Sequence, residues 1–167
     1  MATTAWGTAA TASGNYGYYY STLRSYLTGT VLTRVNTDMT ALGFNVIERK
    51  CLEGTSINVS GYNRFGTATG CTNNWAWYDE KIIALSEPNI YGASIASSSF
   101  YDVGDGFRQL NCFKNYNLSV IADMKYLWLR ERSSASYACR ACGDIGNAVG
   151  NDGVAYANAA FGLIIIN

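Results

Sequence analysis

The first periodic pattern along the chain is that of a helix. One series of apolar residues recurs every four positions, at Leu23, Leu27, Val31 and Val35. A second series overlaps with it, at Val31, Val35, Met39 and Leu42. Both series fit one face of an amphipathic helix, with Ser21 as its N-cap and Gly43 as its C-terminal stop. We predict two helices between these residues, divided at Gly29 and Thr30.

After Gly43 the apolar residues follow the period of strands instead. Phe44 and Val46 alternate with polar residues, and so do Ile57 and Val59. Three further segments are apolar runs typical of strands: residues 81–85, 126–130 and 161–166. The last run is expected to form a single closing strand.

Four segments follow neither the helical period nor the strand period. Residues 1–20 are small and polar, which favours an extended lead-in whose tyrosines pack on the domain. Residues 61–74 and 92–106 are rich in Gly, Ser, Thr and Asn, as long surface loops are. Residues 131–160 show no regular element, and long loops in a compact domain are usually functional. We expect residues 1–167 to form one domain.

The composition points to recognition by hydrogen bonds and aromatic contacts. Only 14% of the residues are charged, whereas the chain has 13 Tyr and 17 Gly. Antibody binding loops use the same mixture, because Tyr offers a large contact area with few rotors and Gly lets loops adapt. A β-rich protein with tyrosines in its sheets fits this composition equally well. The 12 basic residues equal the 12 acidic ones, which argues against nucleic acid as a partner.

The composition also excludes several kinds of chemistry. The chain has no His, so Ser-His, Cys-His and HExxH sites are excluded. The five Cys form no regular framework, which predicts mostly reduced thiols in a protein assembled in a cytosol. We recognise neither a signal peptide nor a membrane span, and therefore predict no membrane insertion.

Cys139 and Cys142 form a CxxC motif, which can serve as a redox dithiol or as half of a zinc site. A zinc site needs two more ligands, and the other Cys are isolated in the sequence. A redox pair should open a helix, yet Gly143 follows at once. We favour neither chemistry and expect both cysteines to belong to a surface segment.

Two other groups of residues resemble metal ligands. Glu87, Pro88 and Asn89 spell the tripeptide that binds calcium and sugar in C-type lectins, but they directly follow an apolar run. Coincidence at the end of a strand is the favoured interpretation. Four loop residues lack the spacing of a calcium-binding loop and are expected to stabilise turns: Asp102, Asp105, Asp144 and Asp152. We predict no metal and no other cofactor.

The Trp residues allow two interpretations. Trp75, Trp77 and Trp128 could form an aromatic platform for sugar, or Trp77 and Trp128 could be core anchors that bury large areas. Trp128 lies in an apolar run, which favours the core. The position of Trp75 is left open.

Three motifs follow one another along the chain. Residues 15–24 read Asn-Tyr-Gly-Tyr-Tyr-Tyr-Ser-Thr-Leu-Arg, residues 83–92 read Ile-Ala-Leu-Ser-Glu-Pro-Asn-Ile-Tyr-Gly, and residues 128–130 read Trp-Leu-Arg. This order resembles a C-type-lectin-like domain family of phage and bacterial proteins. The family pattern has a Gly-Gly-Tyr-type lead into a helix with Ser-x-x-Arg, then Leu-x-Ser-Glu-x-x-x-(Phe/Tyr)-Gly, Trp-Leu-Arg-Ser, a variable segment and Gly-Val-Arg-Pro. Related domains include the variable proteins of diversity-generating retroelements and phage tropism determinants.

The resemblance implies an α+β, C-type-lectin-like fold, with two helices near the N-terminus and short antiparallel strands with long loops. The chain departs from the pattern at Glu131, where the family usually has Ser, and at residues 162–165, which replace Gly-Val-Arg-Pro. The family also has strands before the lead. We therefore expect the chain to be a fragment or to borrow that sheet from a partner.

By the same resemblance, residues 131–160 are a display segment that contacts a ligand. Its small polar and aromatic side chains, set among Gly and Ala, suit contact better than a core. The expected ligand-binding residues are Ser133, Ser134, Ser136, Tyr137, Arg140, Asp144, Asn147, Asn151, Asp152, Tyr156 and Asn158. A merely solvated loop is the alternative interpretation.

These inferences predict a non-enzymatic receptor-binding or adhesion domain of a phage virion, at a tail tip or fibre, assembled in the host cytoplasm. Its partners would be a host cell-surface protein or glycan and other virion proteins. A homo-oligomer, such as a trimer, would add avidity. The alternative is a structural virion protein, in a baseplate or capsid decoration, that uses the same fold for subunit contacts. An oxidoreductase or formylglycine-type enzyme using Cys139 and Cys142 is the least favoured hypothesis.

Overall fold

A computed structural model describes ten parts of the chain: residues 4–7, 17–54, 75–93, 95, 109–116, 126–132, 137–142, 147–153, 160–161 and 163–165. Helices and strands are mixed, and the strands are short and mostly antiparallel. The fold class is therefore α+β, as the sequence predicted. The predicted loop 61–74 and most of the predicted loop 92–106 lie outside the described residues.

The N-terminal helical region is continuous. A 3₁₀ turn (Tyr18–Tyr20) leads into α1 (Thr22–Tyr26), a π-helical turn (Leu27–Val31) and α2 (Leu32–Ala41). The Ser21 hydroxyl accepts a hydrogen bond from the backbone N–H of Arg24 at 3.0 Å, which confirms the predicted N-cap. Gly43 has a φ of 80°, which confirms the predicted stop.

The predicted division into two separate helices is wrong. Gly29 and Thr30 lie inside the π-helical turn, where the chain widens by one residue without leaving the helix. The hydroxyl of Thr28 donates to the carbonyl of Arg24 at 3.0 Å, and that of Thr33 donates to the carbonyl of Gly29 at 2.9 Å. These bonds give the carbonyls of the widened turn additional partners.

In the described part of the chain, two sheets have two strands each. In the first, β1 (Arg49–Gly54) pairs with β2 (Trp75–Glu80) in antiparallel register, and we call this pair the β1–β2 ribbon. In the second, β3 (Ile82–Ala84) pairs with β8 (Leu163–Ile165), also antiparallel. The predicted strand at residues 81–85 is thereby confirmed. Phe44 and Val46, predicted to alternate in a strand, precede β1 in irregular backbone.

The third sheet has four strands in the order β6, β5, β4, β7. At its centre, β4 (Leu127–Arg132) pairs antiparallel with β5 (Tyr137–Cys142) and parallel with β7 (Ala160–Phe161). An outer strand, β6 (Asn147–Gly153), pairs antiparallel with β5. The predicted strand at residues 126–130 is confirmed. The predicted single closing strand is wrong, because β7 and β8 belong to different sheets.

The buried side chains form two clusters, one on each face of β4. Trp128 lies in the cluster that also contains Leu23 and Leu27 of the helical region. Leu127 and Leu129 lie in the other cluster, with residues of two short helices, α3 (Glu87–Tyr91) and α4 (Asn111–Tyr116). Since side chains alternate along a strand, β4 supplies both halves of the core.

A reciprocal pair of hydrogen bonds fixes the segment Thr4 to Gly7 against β4. The indole N–H of Trp6 donates to the carbonyl of Leu129 at 2.8 Å, and the indole N–H of Trp128 donates to the carbonyl of Thr4 at 2.8 Å. Both indoles are fully buried, so each ring fills the core while its polar edge is satisfied. Within the predicted extended lead-in, Tyr18 is buried as expected, but it begins a 3₁₀ turn rather than an extended segment.

Candidate functional site

The prediction that residues 131–160 lack regular structure is wrong. Strands β5 and β6 lie within this range and form an antiparallel hairpin on β4. Ala138, Cys139 and Ala141 of β5 are completely buried, and their small side chains allow β5 to pack closely into the core. Because Ala and Cys occupy the inner positions, the strand has no strongly apolar alternation in its sequence.

Tyr137 is the clearest surface residue of the display segment. It opens β5, its side chain is 46% exposed, and it precedes the fully buried Ala138 and Cys139. Its register partner on β6 is Gly153, which leaves the neighbouring position without a side chain. The phenol therefore projects from a position that pairs with β6, at the end of a strand that also pairs with β4.

The predicted ligand-binding residues fall into two groups. Five lie on the hairpin: Tyr137, Arg140, Asn147, Asn151 and Asp152. Six lie outside the described residues: Ser133, Ser134, Ser136, Asp144, Tyr156 and Asn158. Along β6, Asn147 pairs with Cys142 at one end of the hairpin and Asp152 pairs with Ala138 near the other, while Arg140 pairs with Val149 between them.

Arg140 is partly buried, and it packs on a neighbouring aromatic ring. Its guanidinium carbon lies 3.7 Å from the centroid of the Tyr126 ring, a close cation–π contact. Tyr126 immediately precedes β4, so this contact joins β5 to the start of its neighbour. Arg140 thus helps to hold the hairpin as well as bordering its surface.

Hydrogen bonds also join β4, the strand next to the hairpin, to the segment from Leu85 to Glu87. The backbone N–H of Arg130 donates to the carbonyl of Leu85 at 2.9 Å. The carboxylate of Glu131 is completely buried and accepts a hydrogen bond from the backbone N–H of Glu87 at 3.0 Å. Glu131, the residue that departs from the family pattern, therefore binds the first turn of α3.

The tripeptide Glu87-Pro88-Asn89 begins a helix instead of forming a lectin-type calcium loop. The Ser86 hydroxyl accepts from the N–H of Asn89 at 3.2 Å, and the Asn89 amide oxygen accepts from the N–H of Ser86 at 2.8 Å, which is a capping box. The Glu87 carboxylate accepts from the N–H of Ile95 at 3.2 Å. Both candidate ligands already bind backbone donors, which supports the interpretation of the tripeptide as a coincidence.

The CxxC motif lies on β5, and the expectation that Cys139 belongs to a surface segment is wrong. Cys139 is completely buried in the cluster beneath the hairpin. Cα atoms three residues apart on a strand are separated by about 10 Å, whereas a disulfide needs less than about 7 Å. The extended backbone therefore does not favour a redox dithiol between Cys139 and Cys142.

Two of the Trp candidates have opposite environments. Trp128 is a core residue, as favoured by the sequence, while Trp77 is 64% exposed on β2, so its interpretation as a core anchor is wrong. On the same face as Trp77, the Asp79 carboxylate and the ammonium of its register partner Lys50 form an exposed ion pair at 2.6 Å. The sequence analysis missed this pair, because Lys50 and Asp79 are 29 residues apart and only strand pairing brings them together.

Among the described residues, no group of three or more His, Cys, Asp or Glu is arranged to hold a metal ion. None of the described helices has the length and apolar character needed to cross a membrane. Of the four loop Asp candidates, Asp152 lies on β6, and Asp102, Asp105 and Asp144 lie outside the described residues. Comparisons with models of known protein families, with curated proteins and with solved structures found no match to this chain.

Proposed function

We propose that this chain is a non-enzymatic binding domain of a phage virion, with a C-type-lectin-like fold, that holds a host surface protein or glycan. The observation that carries the proposal is the position of Tyr137. It is an exposed aromatic side chain on a strand whose next residues are completely buried. A ligand would meet a large, rigid contact surface at this end of the β5–β6 hairpin.

A rigid surface favours binding because little conformational freedom is lost when the complex forms. Strand β5 is paired on both sides, and the Arg140 guanidinium rests on the Tyr126 ring. Tyr adds contact area with only two side-chain rotors to immobilise. The hairpin thus presents an exposed Tyr on a backbone that is fixed by strand pairing.

The virion context and the lectin-like fold rest on the order of the three motifs described above. The α+β architecture, with its helical region after Ser21 and its strand from Leu127, agrees with the coarse fold class that the resemblance implies. We extend the proposal to a homo-oligomer, such as a trimer, in a tail tip or fibre, where several weak contacts would act together.

Binding of the purified chain to host cells tests this proposal. We expect Tyr137→Ala and Asp152→Ala to reduce cell binding by about tenfold when combined, which corresponds to roughly 1.4 kcal/mol. Phe44→Ala is the matched control, because Phe44 is also an exposed aromatic residue but lies before β1. Undiminished cell binding by the double variant would contradict the proposal.

Sequencing several clones of the gene separates adhesion from the structural alternative. Adenine-directed changes confined to codons 131–160 are expected of a variable adhesin. Uniform clones, together with cross-links from Tyr137 to other virion chains, would instead favour a baseplate or capsid-decoration protein.

A further inference from the structure

We propose that the outer face of the β1–β2 ribbon is a second binding site, for a neutral sugar ring of a glycan. The site consists of Trp77, Asp79 and Lys50, and we call it the Trp77 face. It lies in a different sheet from the β5–β6 hairpin and does not depend on the function proposed for that hairpin.

Strand alternation separates the two faces of the ribbon. Side chains two positions apart share a face, so Trp77 and Asp79 lie on one face of β2 while Tyr78 and Glu80 lie on the other. Trp77 and Asp79 are exposed, whereas Glu80 is only 3% exposed. Lys50 is the register partner of Asp79 and therefore shares its face.

The inner face of the ribbon is attached firmly to the domain. The ring of Tyr78 stacks on that of Tyr19, with centroids 3.6 Å apart and planes inclined by 19°. The Arg24 guanidinium lies 4.1 Å from the Tyr19 centroid, and its Nε donates to the Glu80 carboxylate at 2.8 Å. Because these contacts hold the inner face, the orientation of the Trp77 face is fixed before any ligand binds.

Trp77 differs from Trp6 and Trp128 in its exposure to solvent. Trp6 and Trp128 are completely buried, and each donates an indole hydrogen bond to a carbonyl. An indole left largely in water forgoes the stabilisation that burial of its large apolar area would give. A ligand that covers the ring would recover that stabilisation.

Two described side chains on the same face as Trp77 match the chemistry of a sugar. The apolar face of a pyranose, made of C–H groups, stacks on an indole, while its hydroxyls need both donors and acceptors nearby. Asp79 offers an acceptor and Lys50 a donor, and their charges cancel. Residues two apart on a strand are about 6.8 Å apart, which one sugar ring can bridge. The balanced charge favours a neutral sugar over a phosphate or sulfate ester.

The size of the face favours a sugar over a second copy of the chain. Six residues of strand span about 20 Å, and two strands span about 10 Å, so the ribbon offers roughly 200 Å². A specific protein interface needs roughly 800 Å² from each partner. The ribbon alone is too small for a stable dimer, and it suits one or two sugar rings.

Affinity electrophoresis of the purified chain tests this site. The probes are gels that contain neutral polymers of glucose, galactose, mannose or N-acetylglucosamine. We expect at least one polymer to retard the chain. Trp77→Ala should weaken that retardation about tenfold, because the stacking surface is lost, and Trp77→Tyr should retain most of it. Asp79→Asn should weaken it less, since one acceptor remains.

Two controls separate this site from the other proposals. Tyr137→Ala should leave retardation unchanged, and a selective loss in that variant would place the sugar on the β5–β6 hairpin instead. The exposed Phe44→Ala variant should also bind as the original chain does. Absence of retardation by all four polymers would overturn the proposal, as would full retardation of Trp77→Ala. Concentration-dependent dimers that Trp77→Ala abolishes would show that a second copy occupies the face.

Discussion

Strands β2 and β4 are both six residues long, yet Trp77 on β2 and Trp128 on β4 have opposite environments. Strand β4 is paired on both edges and covered by a side-chain cluster on each face. Among the described residues, strand β2 pairs with β1 alone, and the described contacts with the rest of the domain come from its inner face. A Trp on β4 is buried because both faces of that strand are packed, whereas a Trp on the outer face of β2 stays in solvent. The packing of the strand, and not the residue type, thus determines whether the indole stabilises the core.

Among the variants that test this difference between the strands, Trp128→Ala has the largest expected effect on stability. We expect it to lower the free energy of unfolding by about 3–5 kcal/mol, because it leaves a cavity and removes the hydrogen bond to the Thr4 carbonyl. Urea denaturation measures the change. The matched variant Trp77→Ala should change the same quantity by less than about 0.5 kcal/mol. Equal losses in both variants would contradict the distinction between the strands.

Arg24→Ala tests the attachment of the β1–β2 ribbon. We expect a loss of about 1–3 kcal/mol, because the buried Glu80 carboxylate would lose its cationic partner. Amide hydrogen exchange should then accelerate in β1 and β2 before it does so in β4. Arg34→Ala is the control, since its ion pair with Asp38 is solvent-exposed and should contribute less than about 0.5 kcal/mol. Unchanged exchange in the ribbon would show that other contacts hold it.

The smallest effect is expected at the ion pair on the Trp77 face. A double-mutant cycle of Lys50→Ala and Asp79→Ala should give a coupling energy below about 1 kcal/mol, because both groups are exposed to water. The coupling should decrease further as salt is added. A larger, salt-independent coupling would indicate that the pair is a structural element of the ribbon.

Segments with strong local signals were predictable from the sequence. Ser21 and Gly43 marked the two ends of the helical region, and the apolar run around Trp128 indicated a core strand. Each of these features depends on a few neighbouring residues. The helix α3 also had a readable signal, Ser86 followed by Pro88 and then by Gly92, which the sequence analysis interpreted as the end of a strand.

Features that depend on distant contacts were not predictable. Ala138 and Ala141 are buried because β5 pairs with β4 and β6, and nothing in the local sequence marks them as core residues. The exposure of Trp77 follows from the register of β2 with β1, since a shift by one residue would turn the ring inward. Tyr137 was predicted to lie at the surface. The strand that carries it, β5, was not predicted, because its formation depends on pairing with β4 and β6.

The bond between Trp6 and Leu129 joins positions 123 residues apart. During synthesis, the ribosome must deliver β4 before the Trp6 indole has a carbonyl to bind and a cavity to enter. Local structure such as α1 and α2 can form much earlier, because its contacts close short loops. While the residues between Trp6 and Leu129 are being synthesised, the Trp6 indole therefore lacks its native partner, and apolar surface exposed in this way favours chaperone binding.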